Sequence, residues 1–459
     1  MIYSSMLFVY GFFPLSLLIY YAVPKKYSEK VLLGLSAVFC GVMSLYFLIF
    51  MVFYILFNYS MCRIIEFLKK KKSIPEVPLA SMIILDITVI FAFRTPYMEW
   101  FSDMIHAPDG FFPIGISFFT LSVIGTLIDV YKGKQKTEPD IVRFALYIVF
   151  FPKLIMGPVM RYSTFCKKID KQQRGLSEIG TGVSIFVKGL AKKVIFADTL
   201  FMLYSAVNNT EGTRCTSLTA LLGIAAYLFC LYFNMSGFAD MGNGIAWCFG
   251  YRFPKSFCYP LFSKKVRLFM SRWLTQVNMW FRRYAEKPIA SVCRKKWLKT
   301  AVFVLAWGIT GFWYTFTLNG FAGGFFIGIV LLAEGRFAGQ NNMKITGITY
   351  TFAVSMLWAV SLSCSSISSS FRYISALFGR NGLADSLSLY LFKSYIPVLI
   401  LSVLFSVDIF GKLTKKIGAK KYFDTVFTLF TPIIVLGMLV LCTIFMSSDG
   451  VSEMMQFRF

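Results

Sequence analysis

The chain of 459 residues is 57% hydrophobic and 18% aromatic, has charged side chains at only 15% of its positions, and shows a mean hydropathy of +0.66. These values exclude an ordinary soluble globular protein, which carries more charge and fewer apolar residues. The formal net charge is +25, and in a membrane protein such an excess is expected in loops that remain cytoplasmic. Nucleic-acid binding is not expected, because no basic segment carries the exposed aromatic platforms of such modules.

Long apolar runs recur along the chain, and a helix needs about 20 residues to cross about 30 Å of hydrocarbon. The runs lie at residues 2–23, 31–62, 79–93, 144–160, 217–233, 301–316, 321–332, 350–362, 389–407 and 427–446. We therefore expect an all-α, polytopic integral membrane protein with about eleven transmembrane helices, some of them short or tilted. Since the loops are short, one membrane-embedded domain, residues 1–459, is predicted.

The first three runs define an expected topology. Residues 31–62 would form a helix of about 48 Å, longer than the hydrocarbon is thick, so two helices with a tight turn are predicted. Lys25, Lys26 and Lys30 precede this run and residues 69–72 are all lysine, so the positive-inside rule places both loops in the cytoplasm and the N-terminus outside. The first run lacks a small-residue cleavage signature and is predicted to be a retained helix.

The basic clusters and the cysteines can each be interpreted either as structural features or as binding sites. Two clusters are candidate contacts for anionic lipid headgroups or an acidic carrier protein: Lys264 with Lys265 and Arg267, and Lys415 with Lys416, Lys420 and Lys421. Topology signals alone would also explain them. The ten cysteines form no C-x-x-C pair, which favours structural thiols over a disulfide framework or a metal site.

The segments 236–260 and 272–288 interleave Arg, Asp, Asn, Trp and Tyr within an apolar protein. Polar groups at membrane depth are costly unless they line a cavity, so these segments are candidate functional sites. Arg161 and Asp240 would need partners if buried, and each is a candidate for the other. Pro113 and Pro158 predict broken helices, because proline removes a backbone donor. Residues 266–284 show helical spacing without a tidy polar face, which predicts an embedded helix.

Several motifs occur in order along the chain: FFPIGISFFTLSVIGTLIDVYKG at residues 111–133, FALYIVFFPKLIMGPVMRYSTF at 144–165, KGLAKKVIFAD at 188–198 and SGFADMGNG at 236–244. Together they resemble the bacterial branch of the membrane-bound O-acyltransferase family, whose members acylate alginate, teichoic acid and other envelope polymers. The resemblance covers nearly the whole chain. It implies helices that surround a central cavity or funnel, and a role in the O-acylation, with acetyl or D-alanyl groups, of a cell-envelope polysaccharide.

The family's histidines are replaced in this chain. Where the family has the motif Arg-Trp-His, this chain has Leu274 at the histidine position. Tyr314 stands at the histidine of the family's Gly-Leu-Trp-His-Gly motif, and Ile327 at the histidine of its later Gly-x-x-His-Gly motif. Histidine suits a general base because its pKa is near 6.5, whereas a tyrosine of pKa about 10 stays protonated at neutral pH. The one histidine, His106, matches no family catalytic position and is interpreted as a surface or interfacial residue. The catalytic residues are therefore unknown, and Asp240 is a base only if it faces the same cavity.

The motifs nevertheless supply candidates for the lining of one internal cavity. These are Arg161, Asp240, Asn243, Arg272, Trp273, Asn278, Trp313, Tyr314 and Asn319. The resemblance implies no tightly bound cofactor and no metal, an acyl donor that is a carrier-protein or coenzyme A thioester, and membrane lipids, an acidic acyl carrier or another envelope acyltransferase as partners. Two alternatives stay open. One is a catalytically degenerate relative acting as a scaffold, carrier-docking subunit or acyl and lipid conduit, and the other, ranked lowest, is a transporter.

Overall fold

The computed structural model describes residues 2–94, 112–138, 140–209, 215–337, 345–408 and 421–447, and these residues form helices and connecting segments without any strand. They divide into two compact units. The first unit comprises Met1–Phe186 and Phe238–Pro254, and the second comprises Val187–Gly237 and Lys255–Gln456. The prediction of one domain over residues 1–459 stays a prediction, and each unit is described by itself.

The first unit is built mainly from the N-terminal helices. A π-helical turn at Leu7–Phe12 leads into the first of them. In chain order they are α1 (Phe13–Ala22), α2 (Ser28–Met43), α3 (Leu45–Lys70), α4 (Glu76–Arg94), α5 (Ile116–Tyr131), α6 (Ile141–Val149), α7 (Phe151–Leu154), α8 (Tyr162–Asp170) and α9 (Leu176–Ala191). The last residues of α9 belong to the second unit.

The long apolar run at residues 31–62 forms two helices, as predicted. The break is a single residue, Ser44, whose backbone is extended at φ −168° and ψ 138°. Its backbone N–H donates to the Cys40 carbonyl at 3.0 Å, so α2 ends with that bond satisfied before α3 begins. Helices α2 and α3 pack against each other, which the tight turn allows.

The run at residues 144–160 is not one continuous helix, and the structure agrees with the broken helix predicted from Pro158. Helix α6 ends at Val149, Pro152 lies in the first turn of the short α7, and an irregular segment containing Pro158 follows. The start of α5 lies directly against the end of α7. A Cβ on Gly115, whose φ is +79°, would come within 1.9 Å of the Leu154 carbonyl oxygen, so only glycine fits there. The Pro-x-Gly motif is therefore a structural requirement of this contact.

The second unit contains the remaining helices. After a π-helical turn at Lys192–Ala197, they are α10 (Asp198–Asn209), α11 (Ser217–Cys248), α12 (Val266–Arg272), α13 (Thr275–Phe281), α14 (Lys287–Val292), α15 (Lys296–Thr315), α16 (Leu318–Phe337), α17 (Ile345–Ser363), α18 (Ile367–Leu377), α19 (Ser386–Phe405) and α20 (Lys421–Ser447). The C-terminal part of α11 belongs to the first unit.

The described residues include seven helices long and apolar enough to cross a membrane, namely α3, α4, α11, α16, α17, α19 and α20. Two shorter apolar helical segments lie at Leu7–Ala22 and Ile116–Tyr131. Large apolar side chains are exposed along α3, α4, α19 and α20, as expected of surfaces that face lipid. The fold is therefore the predicted all-α, polytopic membrane protein, and about eleven crossings stays a prediction for the complete chain.

Candidate functional site

The predicted helix at residues 266–284 is broken in the middle, so its continuity was predicted wrongly. Helix α12 ends at Arg272, Leu274 adopts a left-handed backbone with φ 39°, and α13 begins at Thr275. The break is held by two backbone hydrogen bonds. The N–H of Cys258 donates to the Arg272 carbonyl at 3.1 Å, and the N–H of Thr275 donates to the Ser256 carbonyl at 2.9 Å.

Asn278 closes the end of α12. Its amide nitrogen donates to the carbonyls of Met270 and Trp273, both at 2.7 Å, which satisfies groups that a helix end leaves unpaired. The Asn278 side-chain oxygen is buried and forms no hydrogen bond within the described part of the chain. Asn278 therefore stabilises the break and keeps a free acceptor beside it.

The break places Trp273 inside the second unit, where it is fully buried. Its ring meets that of Trp358 edge-on at 5.4 Å between centroids, and Tyr314 meets the same Trp358 edge-on at 5.7 Å. Phe269 packs on both tryptophans, at 5.4 Å and 6.0 Å. Edge-to-face aromatic pairs contribute about 0.5–1.5 kcal/mol each beyond the area that they bury. Residues from α12, α15 and α17 are thus joined in one aromatic cluster.

Helices α15 and α16 form a hairpin with closely approaching backbones. A Cβ on Gly311 would come within 2.3 Å of the Gly320 carbonyl oxygen and 2.7 Å of the Gly324 Cα. Such contacts are tolerated only by glycine, which brings the two helices together along this seam. The hairpin places Tyr314 of α15 beside Ile327 of α16, because both line one small cavity.

That cavity contains two of the three positions at which the family resemblance expects a histidine. Its volume is about 10 Å³, at the lower limit for a single water. Tyr314 is 7% exposed and Ile327 is completely buried. The other lining residues come from five helices: Met270, Asn278, Trp307, Thr310, Gly311, Gly324 and Trp358. Leu274, the third position, is buried at the break and is not part of this lining.

A larger groove of about 290 Å³ lies next to the small cavity. The two share Met270, Asn278, Trp307 and Thr310 in their linings, so those four residues form the wall between them. The remaining residues of the groove are five apolar and five polar or charged ones: Met279, Phe281, Phe303, Ala306 and Leu331, and Arg267, Ser271, Thr275, Arg282 and Glu286. The groove therefore runs from charged side chains to the wall that it shares with the small cavity.

Carboxylates shape the polar part of the groove. The Glu334 carboxylate accepts hydrogen bonds from the backbone N–H groups of Val266 at 2.6 Å and Arg267 at 3.0 Å, and thereby caps the N-terminus of α12. Burial raises the pKa of the Glu286 carboxyl above its usual range, and the positive charges of Arg282 and Lys287 oppose that shift.

Three of the predicted lining residues belong to the first unit. Arg161 donates through Nε to the Asp129 carboxylate at 2.8 Å, and Asp129 is almost completely buried. This pair joins the two family motifs that end in Asp-Val-Tyr and Arg-Tyr. Asp240 and Asn243 lie on α11, half-buried and buried respectively. A cavity common to these three residues and to Tyr314 stays a prediction.

The other predicted residues have defined places in the second unit. Trp313 is buried against Phe281, with ring centroids 6.2 Å apart. Arg272 is half-buried at the end of α12. Asn319 donates to the Cys364 carbonyl at 2.9 Å and to the Ser370 hydroxyl at 2.8 Å, which holds the start of α16 to the segment after α17 and to α18. His106 lies outside the described residues.

Sequence reasoning did not name Trp307, Thr310 or Trp358 as site residues. A signal for the first two was present, because Trp307, Thr310, Gly311 and Tyr314 have the spacing of one helix face. No pattern indicated Trp358, which lies on a different helix and reaches the site only through packing. A buried ion pair in the motif at residues 188–198, Lys193 with Asp198, was also not predicted.

Comparison with known proteins gives the same assignment as the motifs. Residues 130–337 match the model of the membrane-bound O-acyltransferase family. The probable alginate O-acetylase AlgI of Pseudomonas aeruginosa is 30% identical over 300 residues, which cover 62% of this chain and 56% of that protein. The peptidoglycan O-acetyltransferase of Helicobacter pylori is 26% identical over 307 residues, which cover 59% of this chain and 58% of that protein.

A third relative, the teichoic acid D-alanyltransferase of Bacillus subtilis, is 28% identical over 199 residues, which cover 42% of this chain and 49% of that protein. The chain thus spans about half of the length of the curated relatives that it matches. The architecture and the buried site define a multi-pass α-helical membrane protein with a groove beside a small buried cavity. Residues 130–337 of the chain match the model of the membrane-bound O-acyltransferase family, which confirms the predicted resemblance.

Proposed function

We propose that this protein takes part in the O-acylation of a cell-envelope polysaccharide, with acetyl or D-alanyl as the transferred group. The observation that carries the proposal is that the whole groove and most of the small cavity lie within residues 130–337, the part that matches the family model. Relatives named as alginate and peptidoglycan O-acetylating proteins and as a teichoic acid D-alanyltransferase support the substrate class.

The groove suits the acyl donor of such a reaction. Its volume of about 290 Å³ approaches the size range of small-molecule sites, and Arg267 and Arg282 supply positive charge along it. A thioester of coenzyme A or of an acidic acyl carrier protein brings negative charge to that part of the groove. Such a donor, bound transiently, is proposed together with the carrier or an envelope acyltransferase as partner.

Catalysis in this site would have to differ from a histidine mechanism. Tyr314 and Ile327 occupy two histidine positions, and Leu274 occupies the third. A neutral tyrosine hydroxyl can donate a hydrogen bond to a developing oxyanion, but it is a weak general base. Losing a general base typically lowers a rate by about 10²- to 10⁴-fold, so binding and positioning alone would support slow transfer.

Deleting the gene in its own cell tests the proposed role. We expect the content of base-labile acyl esters on envelope polysaccharide to fall, and the intact chain supplied from a plasmid to restore it. The measurement is mass spectrometry of the acyl groups released from purified polymer. An unchanged ester content in the deletion strain would contradict the proposed function.

A second candidate, a catalytically degenerate member that acts as a scaffold or conduit, is favoured by one observation. The cavity at Tyr314 and Ile327 has about 10 Å³, which leaves no space for a reacting acyl group. The conservative change Tyr314→Phe removes only the hydroxyl and separates the two candidates. Loss of acylation would assign a catalytic role to that hydroxyl, whereas full acylation would assign the chain a supporting role; Tyr390→Phe, on the 67% exposed Tyr390, is the matched control.

For the location, we propose the cell membrane with the N-terminus outside, since the loops at Lys25 and at residues 69–72 are rich in lysine. We expect a Lys71→Cys variant of a cysteine-depleted chain to react with a membrane-impermeant thiol reagent only after the cells are opened. Lys71 is exposed, so access is decided by the side of the membrane. Labelling of that cysteine in intact cells would reverse the proposed topology.

A further inference from the structure

Four polar side chains are buried together within the membrane-spanning part of the first unit. Tyr54 and Asn58 lie on α3, Asp86 on α4 and Thr120 on α5. Asn58, Asp86 and Thr120 are completely buried, and Tyr54 is 7% exposed. Helices α3 and α4 are both long and apolar enough to cross the membrane. An ionisable residue at this depth indicates a functional site more often than a structural one.

The packing of the three helices brings these groups together. Helices α3, α4 and α5 contact each other pairwise, and Tyr54 and Asn58 are one helical turn apart on α3. The Tyr54 hydroxyl lies next to the Asp86 carboxylate, the Asn58 amide and the Thr120 hydroxyl. The Asn58 amide nitrogen donates to the Tyr54 carbonyl at 3.0 Å, so the oxygen of that amide is the atom left for other contacts.

Five oxygens in this cluster are without a hydrogen-bond partner within the described residues. They are the Tyr54 hydroxyl, the Asn58 side-chain oxygen, both Asp86 carboxylate oxygens and the Thr120 hydroxyl. Unsatisfied buried polar atoms are rare in folded proteins, because each one loses its hydrogen bonds to water without a replacement. A cluster of five therefore points to a ligand that the oxygens bind in common.

The charged residues around the cluster do not neutralise Asp86. On α3, Glu66 pairs with Lys70 at 3.0 Å. On α4, Arg94 donates to the Ser117 hydroxyl of α5 at 2.8 Å. Further along α5, Asp129 pairs with Arg161. Among the residues that the structure describes, no Lys, Arg or His forms a salt bridge with Asp86, and a bare carboxylate in hydrocarbon is strongly disfavoured.

We propose that Tyr54, Asn58, Asp86 and Thr120 form a binding site for a monovalent metal cation, with sodium as the ion to be tested. Carboxylate, amide and hydroxyl oxygens are the ligands of hard cations. One carboxylate and one monovalent ion are neutral together, whereas a divalent ion would leave a net positive charge at membrane depth. The site is independent of the proposed acyl transfer, because its residues are separate from the groove and belong to the first unit.

A carbodiimide that modifies buried carboxylic acids tests this site on the full-length protein in detergent. Dicyclohexylcarbodiimide reacts with the protonated carboxyl, so a bound sodium ion should protect Asp86. We expect the rate of Asp86 modification, followed by peptide mass spectrometry, to fall about tenfold when sodium is about ten times its Kd, relative to choline chloride of equal ionic strength. A modification rate that is the same in sodium and choline at every pH would show that Asp86 binds only a proton, and would overturn the proposal.

Variants of the ligands provide the matched control. Thr120→Val should raise the sodium concentration needed for half protection about tenfold, while Thr88→Val should leave it unchanged, because Thr88 is an exposed threonine on α4 whose hydroxyl bonds to the Ile84 carbonyl. If Thr120→Val does not fold, Tyr54→Phe removes a neighbouring hydroxyl with little change of volume and is expected to act in the same direction. A second readout is the thermal midpoint, which sodium should raise in the unmodified protein and not in Asp86→Asn. An equal rise in Asp86→Asn would contradict the site.

Discussion

The Tyr314→His variant is expected to transfer labelled acyl groups to envelope polymer about a hundredfold faster than the unmodified protein, the lower end of what a general base contributes. Imidazole is smaller than the phenol ring that it replaces, so it fits the cavity lined by Tyr314, Ile327 and Trp358. Asn278 lines the same cavity, and its buried side-chain oxygen has no hydrogen-bond partner in the described part of the chain. The Asn278 oxygen can accept a hydrogen bond from one N–H of the imidazole ring. This bond selects the tautomer in which the other ring nitrogen is unprotonated and can act as the base.

The measurement is the incorporation of labelled acetyl or D-alanyl groups in cells that lack every histidine-bearing relative. Tyr390→His is the control, because Tyr390 is 67% exposed on α19 and the same chemical change there should have no effect. Adding Asn278→Leu to Tyr314→His should remove most of the gain, since it removes both the oxygen that selects the tautomer and the amide that closes the end of α12. A folded Tyr314→His protein without any gain would mean that the family's histidine chemistry cannot be rebuilt at this position.

A second histidine is compatible with the backbone at Leu274, the third position at which the family resemblance expects one. Leu274 has a φ of 39°, a left-handed conformation that histidine adopts several times more readily than an apolar residue does. Leu274→His therefore relieves part of the backbone strain, although it buries a polar ring at a cost of about 1–3 kcal/mol if the ring stays unpaired. The double variant Leu274→His with Tyr314→His should thus exceed the single variant in transfer rate only if the new ring finds a partner.

Gly311→Val is expected to destabilise the protein by about 3 kcal/mol or more, the upper end of the usual cost of overpacking. The new side chain would meet the Gly320 carbonyl oxygen at 2.3 Å and the Gly324 Cα at 2.7 Å. Both obstacles are backbone atoms, so relief requires the two helices of the hairpin to separate. Because Tyr314 and Ile327 meet across this seam, the candidate site would be lost as well.

The effect of Gly311→Val is measured as the thermal midpoint of the purified protein and the yield of monodisperse material. Gly34→Val is the matched control, since Gly34 is an exposed glycine of α2 and a Cβ there meets nothing within 4 Å. Its effect should remain within about 1 kcal/mol, the range of helix propensities. Equal stability of the two variants would contradict the close approach of α15 and α16.

Much of the architecture could be predicted because hydropathy acts locally. Apolar length alone identified the helices that cross the membrane, and the excessive length of residues 31–62 predicted the break that occurs at Ser44. The position of a break was not predicted where it depends on distant partners. The left-handed turn at Leu274 is held by Ser256 and Cys258, and just after the interruption at Phe150 the Phe151 N–H donates to the Ser36 hydroxyl of α2. None of these partners can be predicted from the residue pattern of the segment that contains the break.

The sequence by itself determined that this is a helical membrane protein with the motifs of an O-acyltransferase family, and it predicts Leu274, Tyr314 and Ile327 at the positions where the family resemblance expects histidines. These properties reside in residue identity and spacing along the chain. Only the tertiary structure decided that Tyr314 and Ile327 share a cavity, that Trp358 completes it, and that five oxygens converge around Asp86 of a different unit. These contacts depend on how helices that are far apart in sequence pack against each other. That packing depends on close glycine contacts, helix breaks and side-chain volumes in several segments at once, so no single segment specifies it.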